Sequence, residues 1–514
     1  MLQVYERCHG LKEADVSDKK QALVRKISTE LDCVDRPYTR ATINALPDNA
    51  LLETFEFYLG KDVADQIDYS YDYDGWQTLV HVCYRWRCIV FASPHRLDLK
   101  LYCTPRRLVS SSALDIWPTL PTIIYAQGIQ SRQQVTTLIA SLRQHNRVCK
   151  IYYCNGKFQD SLLKEFAAID EPFPSLTSLK FFSFGKNVPA LPDSFLGGSA
   201  PLLRSLDLNG IPYPSMGRLL LSTTNLIRLS LRNIPYSGYI APETIVPSLT
   251  MLPRLELLFL GLQYTLSRAY RASRHSPPVT RVTFPNLTSL GFSGNVEYLE
   301  DILAQIETPM LNESHFCFFN QPVFDTPLLE HFIRRTEAFK TFHRARLEFF
   351  SWAVAATLWG RDEMANDDRE ALRLQISCEP LDWQLSAIAQ VLKSFLSFLP
   401  TLESFEIAVS REDWQGEIEV IQWREFLDPF TFVKELILIR KDSVRLVATA
   451  LQELARERVG EVLPDLQTLI LWTYGWRPPG PVKEAIEQFV TTRRNCGHPP
   501  TIHFWDTKSR THVQ

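Results

Sequence analysis

The nine-residue stretch FPSLTSLKF at 173–181 decides the fold, because it returns almost unchanged as FPNLTSLGF at 284–292. Both copies fit the template L-x-x-L-x-L, with a proline two residues before the first leucine. A template that recurs along a chain indicates one structural unit stacked many times. The same template fits seven further segments, at 200–208, 223–231, 252–260, 308–316, 399–407, 430–438 and 463–471.

The first apolar position of each copy is its anchor, and the anchors are spaced almost regularly. They are separated by 27, 23, 29, 32, 24, 91, 31 and 33 residues. The interval of 91 is about three periods long, so we expect it to hold two further units, with strands at 344–350 and 372–376. This template and period predict leucine-rich repeats. The anchors are Leu176, Leu203, Leu226, Leu255, Leu287, Leu311, Leu402, Val433 and Leu466.

Such a unit cannot bury its own apolar face, so neighbouring units must stack and share one core. Several return segments have a helical period, and three earlier apolar segments are expected to begin the same sheet. The predicted fold is α/β, with a short helical domain followed by a curved solenoid over 93–505. Its parallel sheet is expected on the concave side, with helices and loops on the convex side. An ordinary α/β domain with coincidental leucine-rich strands is the alternative.

Two apolar segments with helical spacing precede the repeats, LPDNALLETFEFYLG at 46–60 and WQTLVHVCYRWRCIVF at 76–91. We expect one helix in each, and a helical domain over 44–92. A helix pair this small cannot bury all of its apolar side chains, so the remaining face is expected to meet the first repeats or another protein. A partly disordered segment at 1–43 and a tail at 506–514 complete the predicted organisation.

These helices resemble the F-box, a motif that opens L-P-x-x-x-L-L-x-x-I/F and closes V-C-x-x-W-R. The link at 61–75 is longer and more acidic than is usual in that motif. Most of 40–505 is also similar to an expanded family of fungal F-box-like leucine-rich proteins, through segments such as PDSFLGGSAPLLRSLDLNGIP. The residues that match the motif are Leu46, Pro47, Leu51, Leu52, Phe55 and Leu59, then Val82, Cys83, Trp86 and Arg87.

The resemblance implies a non-catalytic substrate receptor of a Skp–cullin–F-box ubiquitin ligase. The F-box would bind a Skp-type adaptor and, through it, a cullin, while the repeats would bind a client protein. The alternative is a leucine-rich interaction scaffold with no ligase role, in which 46–92 only caps the solenoid. The adaptor-binding residues implied by the resemblance are Leu46, Pro47, Leu51, Leu52, Phe55, Leu59, Val82, Cys83 and Trp86.

Client-binding residues are expected on the strand face that points away from the core. Strand side chains alternate, so Arg228 and Arg232 should face outward beside Leu257 and Phe259 of the next strand. Exposed aromatic and arginine side chains are common in binding hot spots. We therefore predict a client site at these four residues. The alternative is that a neighbouring loop covers Leu257 and Phe259.

Composition limits the remaining classes of function. The chain has 514 residues, of which 45% are apolar and 22% charged, as in globular proteins. A net charge of −3 disfavours nucleic-acid binding, and the longest apolar run, at 349–359, is too short to cross a membrane. No catalytic or cofactor motif is recognised. We expect a cytoplasmic or nuclear protein that needs no cofactor.

Two pairs of cysteines and two charged stretches have plainer interpretations. Cys83 with Cys88, and Cys149 with Cys154, lack the further ligands of a zinc site, so they are predicted to be buried free thiols. The basic insertion at 267–281 is predicted to be a solvated loop, with phosphate binding as the alternative. The acidic stretch at 361–370 is also predicted to be a solvated loop.

Overall fold

The computed structural model describes residues 43–59, 75–104, 120–129, 131–143, 145–154, 159–185, 188–213, 217–263, 281–321, 323–340, 342–362, 367–378, 381–393, 395, 401–409, 420–458, 462–472, 478–505 and 512–513. The predicted N-terminal segment and the basic insertion fall almost entirely outside these residues. The chain divides into two compact units, Met1–Leu99 and Lys100–Gln514. We call them the helical unit and the sheet unit.

Helices and strands alternate through most of the sheet unit. The helices are α1 Asp48–Leu59, α2 Gly75–Val82, α3 Tyr84–Ala92, α4 Arg132–Leu142, α5 Gln159–Ala167, α6 Gly217–Ser222, α7 Pro242–Leu249, α8 Val296–Gln305, α9 Pro327–Arg335, α10 Leu381–Lys393, α11 Val420–Leu427, α12 Lys441–Arg458 and α13 Gly480–Asn495. The strands are β1 Leu101–Cys103, β2 Thr122–Gln127, β3 Val148–Cys154, β4 Ser178–Phe182, β5 Ser205–Asn209, β6 Arg228–Ile234, β7 Leu257–Leu262, β8 Val282–Thr283, β9 Ser289–Gly294, β10 Ile306–Glu307, β11 Glu313–Phe319, β12 Phe342–Phe349, β13 Ala353–Asp362, β14 Asp367–Ser377, β15 Ser404–Val409, β16 Glu435–Ile439, β17 Thr468–Trp472, β18 Thr501–Trp505 and β19 His512–Val513.

The helical unit contains α1, α2 and α3, so the single helix expected over 76–91 is wrong. Cys83 interrupts it, because its backbone is extended and its Sγ accepts a hydrogen bond from the Trp86 N–H (3.5 Å). A side chain that accepts from the third residue beyond it is an N-cap, so the cysteine starts α3. The break leaves Val82 exposed and brings Trp86 against Phe55, with ring centroids 4.7 Å apart.

Each of several repeats begins with a tight turn that explains the proline of the template. The anchor N–H donates to the carbonyl three residues earlier, as from Leu176 to Phe173 (3.2 Å) and from Leu203 to Ala200 (3.0 Å). The proline stands at the second position of that turn, where its fixed φ is favourable. All nine predicted anchors are at most 2% exposed. The template therefore marks a turn, its buried anchor and the strand that follows.

Neighbouring units are joined by a repeated backbone bond. The Thr177 carbonyl accepts N–H groups from both Arg204 (2.9 Å) and Ser205 (3.2 Å) of the next unit. The same double acceptance recurs at the carbonyls of Arg204, Ile227, Glu256 and Thr288. Each unit thereby fixes the start of the next strand in register, which keeps the strands parallel.

Among the described residues, seventeen strands form one mostly parallel sheet. The strand pairings give the order β1-β2-β3-β4-β5-β6-β7-β9-β11-β14-β13-β12-β15-β16-β17-β18-β19. β8 and β10 pair separately. The predicted tail contributes β19, which lies antiparallel to β18. The long parallel sheet with helical returns agrees with the predicted α/β leucine-rich-repeat architecture.

The interval of 91 residues does hold the two predicted strands, within β12 and β14, but they are not successive parallel units. The antiparallel strand β13 lies between them, and β14 rather than β12 pairs with β11. We call Phe342–Ser377 the reversed segment, because its three strands run against chain order in the sheet. The predicted acidic loop at 361–370 is wrong in part, since β13 ends at Asp362 and β14 begins at Asp367.

The helices of the sheet unit pack against one face of the sheet and share one continuous core with it. Alternate strand residues point to the other side, which we call the open face. Buried polar groups tie some units together: Glu300 accepts the N–H groups of Leu328 (2.8 Å) and Leu329 (2.7 Å) at the start of α9. Ser314, the single polar residue among the template positions, is also buried.

Candidate interaction surfaces

Exposed apolar side chains collect at the junction of α2 and α3 in the helical unit. Arg85 donates to the Leu46 carbonyl (2.6 Å) and pairs with Asp48 (2.5 Å), which holds the start of α1 beside this junction. Leu46 is 42% exposed, and Val82 and Tyr84, which flank the junction, are 54% and 78% exposed. We call these three residues the junction patch.

Other residues matched to the F-box lie elsewhere in the helical unit. Leu51, Leu52 and Phe55, which were expected to face a partner, are buried within the chain in this structure. The physical reason is that α1 packs on α2 and α3, and its apolar stripe supplies their shared core. Leu59, Cys83 and Trp86 are half-buried, and Pro47 is exposed. Of the nine, Leu46, Pro47 and Val82 offer the most surface.

The four predicted client-binding residues lie together on the open face. Arg228 is in register with Leu257, and the Arg232 guanidinium carbon lies 4.7 Å from the centroid of the Phe259 ring. Arg232 Nε also donates to Ser230 Oγ (2.8 Å). Leu257 and Phe259 are half-buried, and Arg228 is exposed. A neighbouring loop therefore does not cover Leu257 and Phe259 completely.

Gly291 on β9 provides the seat of the Phe259 ring. A Cβ at Gly291 would lie 2.1 Å from Phe259 Cδ2, well inside van der Waals contact. Strands β7 and β9 pair Phe259 directly with Gly291. The ring consequently lies flat across the neighbouring strand, under the guanidinium of Arg232, in the arrangement of a cation–π pair.

The titratable residues near Arg232 show which side chains carry charge around this cluster. Burial raises the pKa of Asp207, although Arg232, Ser230 and Lys180 oppose that shift. Desolvation by the neighbouring strands, together with Arg373 and Arg232, lowers the pKa of His315 to about 4, although part of its side chain is exposed at the surface. The histidine is therefore neutral at pH 7, and the positive charge in this part of the open face belongs to the arginines.

A second charged cluster joins the reversed segment to Glu406 on β15 and was not predicted. Glu406, with its side chain 2% exposed, accepts from Arg344 Nε (2.7 Å) and Arg346 Nε (2.5 Å). Both guanidinium groups stand over Trp359, at 5.2 and 5.7 Å from its ring centroid. Arginine alternates with apolar residues in HRARLEF at 343–349, and this pattern indicates two arginines on one strand face. Their partners, Trp359 and Glu406, are distant in sequence, so the pattern does not identify the cluster.

Within the part of the chain that the structure describes, no group of three or more His, Cys, Asp or Glu is placed to hold a metal ion. No helix there is long and apolar enough to cross a membrane. The four cysteines are free, as predicted, but none of them is buried: Cys88 is exposed, and Cys83, Cys149 and Cys154 are half-buried.

Comparison with solved structures shows a likeness to a leucine-rich-repeat protein. The leucine-rich repeat-containing protein LegL7 from Legionella pneumophila is 15% identical, with a TM-score of 0.28, over 65% of this chain and 96% of that chain. No family model matches the chain, and none of the curated proteins matches it either. The architecture described above therefore rests on the strand pairings and on the buried anchors of this chain.

Proposed function

We propose that this chain is the substrate-recognition subunit of a Skp–cullin–F-box ubiquitin ligase. In this proposal the helical unit binds a Skp-type adaptor, and the open face of the sheet unit binds a client protein. The chain itself needs no catalytic residue, because the ubiquitin-transfer chemistry would belong to its partners.

The junction patch is the observation that carries the proposal. It exposes a leucine, a valine and a tyrosine on a unit that already has its own core. Exposed apolar side chains of this kind mark protein interaction sites. Leu46 and Val82 are also residues that match the F-box pattern in the sequence. The Arg85 contacts fix this patch in one geometry, which lowers the entropy that binding would cost.

The client side of the proposal is supported by the Arg232 and Phe259 pair. Interfaces are enriched in arginine and aromatic residues, and a few such residues supply most of the binding energy. Here the ring is held by Gly291 below and by Arg232 above. A side chain that is ordered before binding loses less conformational entropy when a partner covers it.

A leucine-rich interaction scaffold without a ligase role is the second candidate, and one observation favours it. Leu51, Leu52 and Phe55, which the F-box pattern assigns to the adaptor, are buried inside the chain. A helical unit that keeps these side chains for its own core needs no adaptor to cover them. The scaffold would retain the open face as its binding surface.

Co-purification with a Skp-type adaptor separates the two candidates. We expect the intact chain, co-expressed with the adaptor, to retain it on an affinity column. Leu46→Asp with Val82→Asp should weaken adaptor binding at least about 100-fold, because each carboxylate would be desolvated in an apolar contact and about 1.4 kcal/mol is one factor of ten.

The matched control replaces a leucine and a valine of similar exposure in the sheet unit, Leu221→Asp with Val323→Asp. This control should bind the adaptor like the unchanged chain. Both double variants should keep the melting temperature, since surface substitutions cost little. If a correctly folded, unchanged chain never retains the adaptor, the receptor proposal is wrong and the scaffold stands.

A further inference from the structure

Four aromatic side chains form a continuous line across the open face of β1 to β4. The ring centroids of Tyr102 and Tyr125 are 6.2 Å apart, those of Tyr125 and Tyr152 are 5.8 Å apart, and those of Tyr152 and Phe182 are 5.6 Å apart. Each ring comes from a different strand, and the four strands are adjacent and parallel. We call this line the aromatic diagonal.

The rings stand on the open face because their sequence neighbours occupy the core. Leu101 and Cys103 flank the first ring, Ile124 and Ala126 the second, and all four are buried. Strand side chains alternate, so the aromatic diagonal cannot also enter that core. Tyr102, Tyr125 and Phe182 remain half-buried, whereas Tyr152 between them is 7% exposed; Phe184, just beyond β4, is 74% exposed. The surface on this face therefore belongs to the rings on either side of Tyr152.

A line of positive charge runs parallel to the aromatic diagonal. Lys150 precedes Tyr152 by two residues on β3, and Lys180 precedes Phe182 by two residues on β4. Each lysine is therefore displaced from its ring by one side-chain step along the same face, about 6.6 Å. Among the residues that the structure describes, Lys150 forms no ion pair, and Lys180 lies in register with Asp207.

The spacing of the rings fits an extended chain. Alternate side chains of an extended peptide lie about 6.6 Å apart, close to the separations of 5.6 to 6.2 Å along the aromatic diagonal. A peptide of about six residues spans the four rings. An extended peptide has two opposite rows of side chains. When both rows lie along the open face, one row covers the rings and the other covers the two lysines.

We propose that the aromatic diagonal binds an extended, acidic peptide segment whose apolar side chains alternate with Asp or Glu. Apolar side chains would cover the rings of Tyr125 and Phe182, and the carboxylates would pair with Lys150 and Lys180. The assignment of this segment to a client rests on the proposed function. The binding surface itself does not, because it requires neither an adaptor nor a cullin.

A ten-residue fluorescent peptide of alternating leucine and aspartate tests this proposal by anisotropy titration against the full chain. The leucine–aspartate peptide should bind at least about 10-fold tighter than a serine–aspartate peptide and a leucine–lysine peptide. Tyr125→Ala with Phe182→Ala should weaken binding about 10-fold or more, since the ring surface that the leucines would cover is lost. The matched control, Tyr236→Ala with Phe432→Ala, removes two exposed rings elsewhere and should bind unchanged.

A charge exchange keeps the test decisive if the aromatic variant folds poorly. Lys150→Glu with Lys180→Glu should prefer the leucine–lysine peptide over the leucine–aspartate peptide, whereas Lys164→Glu, on the helix side, should keep the original preference. Equal binding of the serine–aspartate peptide, or an unchanged preference after the exchange, would overturn the proposal. Adaptor retention by the same preparations reports separately on the proposed function.

Discussion

The strands β1 to β7, β9 and β11 differ from the reversed segment in how the order of strands in the sheet relates to their order in the chain. In the first region, sheet order follows chain order, and short returns carry the chain from one strand to the next. In the reversed segment, β11 pairs with β14, and β12 pairs with β15. Ser314 is thus opposite Leu372, and Arg344 is opposite Ser404.

This difference shows that two kinds of interaction specify one sheet. The regular strands are placed by a local turn, a buried anchor and a shared carbonyl. The reversed segment is placed by contacts that join distant residues, among them Glu406 with its two arginines. Gln384 makes another such contact. Its Nε2 donates to the carbonyl of Phe350 (2.9 Å), just before β13, and to that of Cys378 (2.7 Å), just after β14.

Core truncation should give the largest effect and should compare the two regions directly. Leu229→Ala in β6 and Leu374→Ala in β14 remove the same side chain from sites that are each 0% exposed. Both should lower the free energy of unfolding by about 2–5 kcal/mol. Urea unfolding measures the loss. Hydrogen exchange should be faster in Leu374→Ala across β11 to β15. Faster exchange in β14 alone would contradict the claim that contacts between distant residues hold these strands together.

Loss of the buried carboxylate should come next. Glu406→Ala leaves Arg344 and Arg346 without their shared partner, so we expect a loss of about 3 kcal/mol in urea unfolding. Glu403→Ala is the matched control, because it breaks an exposed pair with Lys434 one strand away and should cost at most about 1 kcal/mol. Equal costs for the two substitutions would show that Glu406 does not fix β12 beside β15.

The seat of Phe259 should give a smaller effect within the regular region. Gly291→Ala places a Cβ against the ring, and relief by ring movement should keep the destabilisation at about 1–2 kcal/mol. Adding Phe259→Ala should remove most of that cost, because the clash then has no partner. Additive losses in the double variant, measured by thermal unfolding, would show that the ring does not occupy this seat.

The pH dependence of His315 should be the smallest effect. Its folded pKa, about 4, lies below the ordinary value of 6.5, so the unfolded chain binds more protons between these values. Stability is therefore lost as the pH falls from about 6.5 towards 4. His315→Asn should flatten the fall in melting temperature over this range. The same substitution at His498, which is also exposed, should leave the slope unchanged, and equal slopes for both variants would exclude this role of His315.

Local patterns were enough to predict the repeats and insufficient for the reversed segment. A turn proline and a buried leucine act within a few residues, so all nine anchors could be read from the sequence. The strands at 344–350 and 372–376 were also predicted. Their order in the sheet could not be predicted, because a local pattern does not show which distant strand each one pairs with. The aromatic diagonal was missed because its rings share no segment of the chain.

The helical unit was harder to interpret, for a different reason. Apolar residues cover most of the circumference of α1, so their spacing does not tell which side is buried. Cysteine is an uncommon helix cap, so the break at Cys83 could not be expected from its residue type. These two features together decided that Val82 would be exposed and that Leu52 and Phe55 would be buried.

Hydrogen–deuterium exchange of the full chain, with and without a Skp-type adaptor, tests the central claim most directly. We predict that the adaptor slows exchange at 43–59 and 75–92, with the largest change beside Leu46, Val82 and Tyr84. The strands of the open face should exchange as before. Absence of protection in the helical unit at a saturating adaptor concentration, or protection confined to the sheet strands, would contradict the claim.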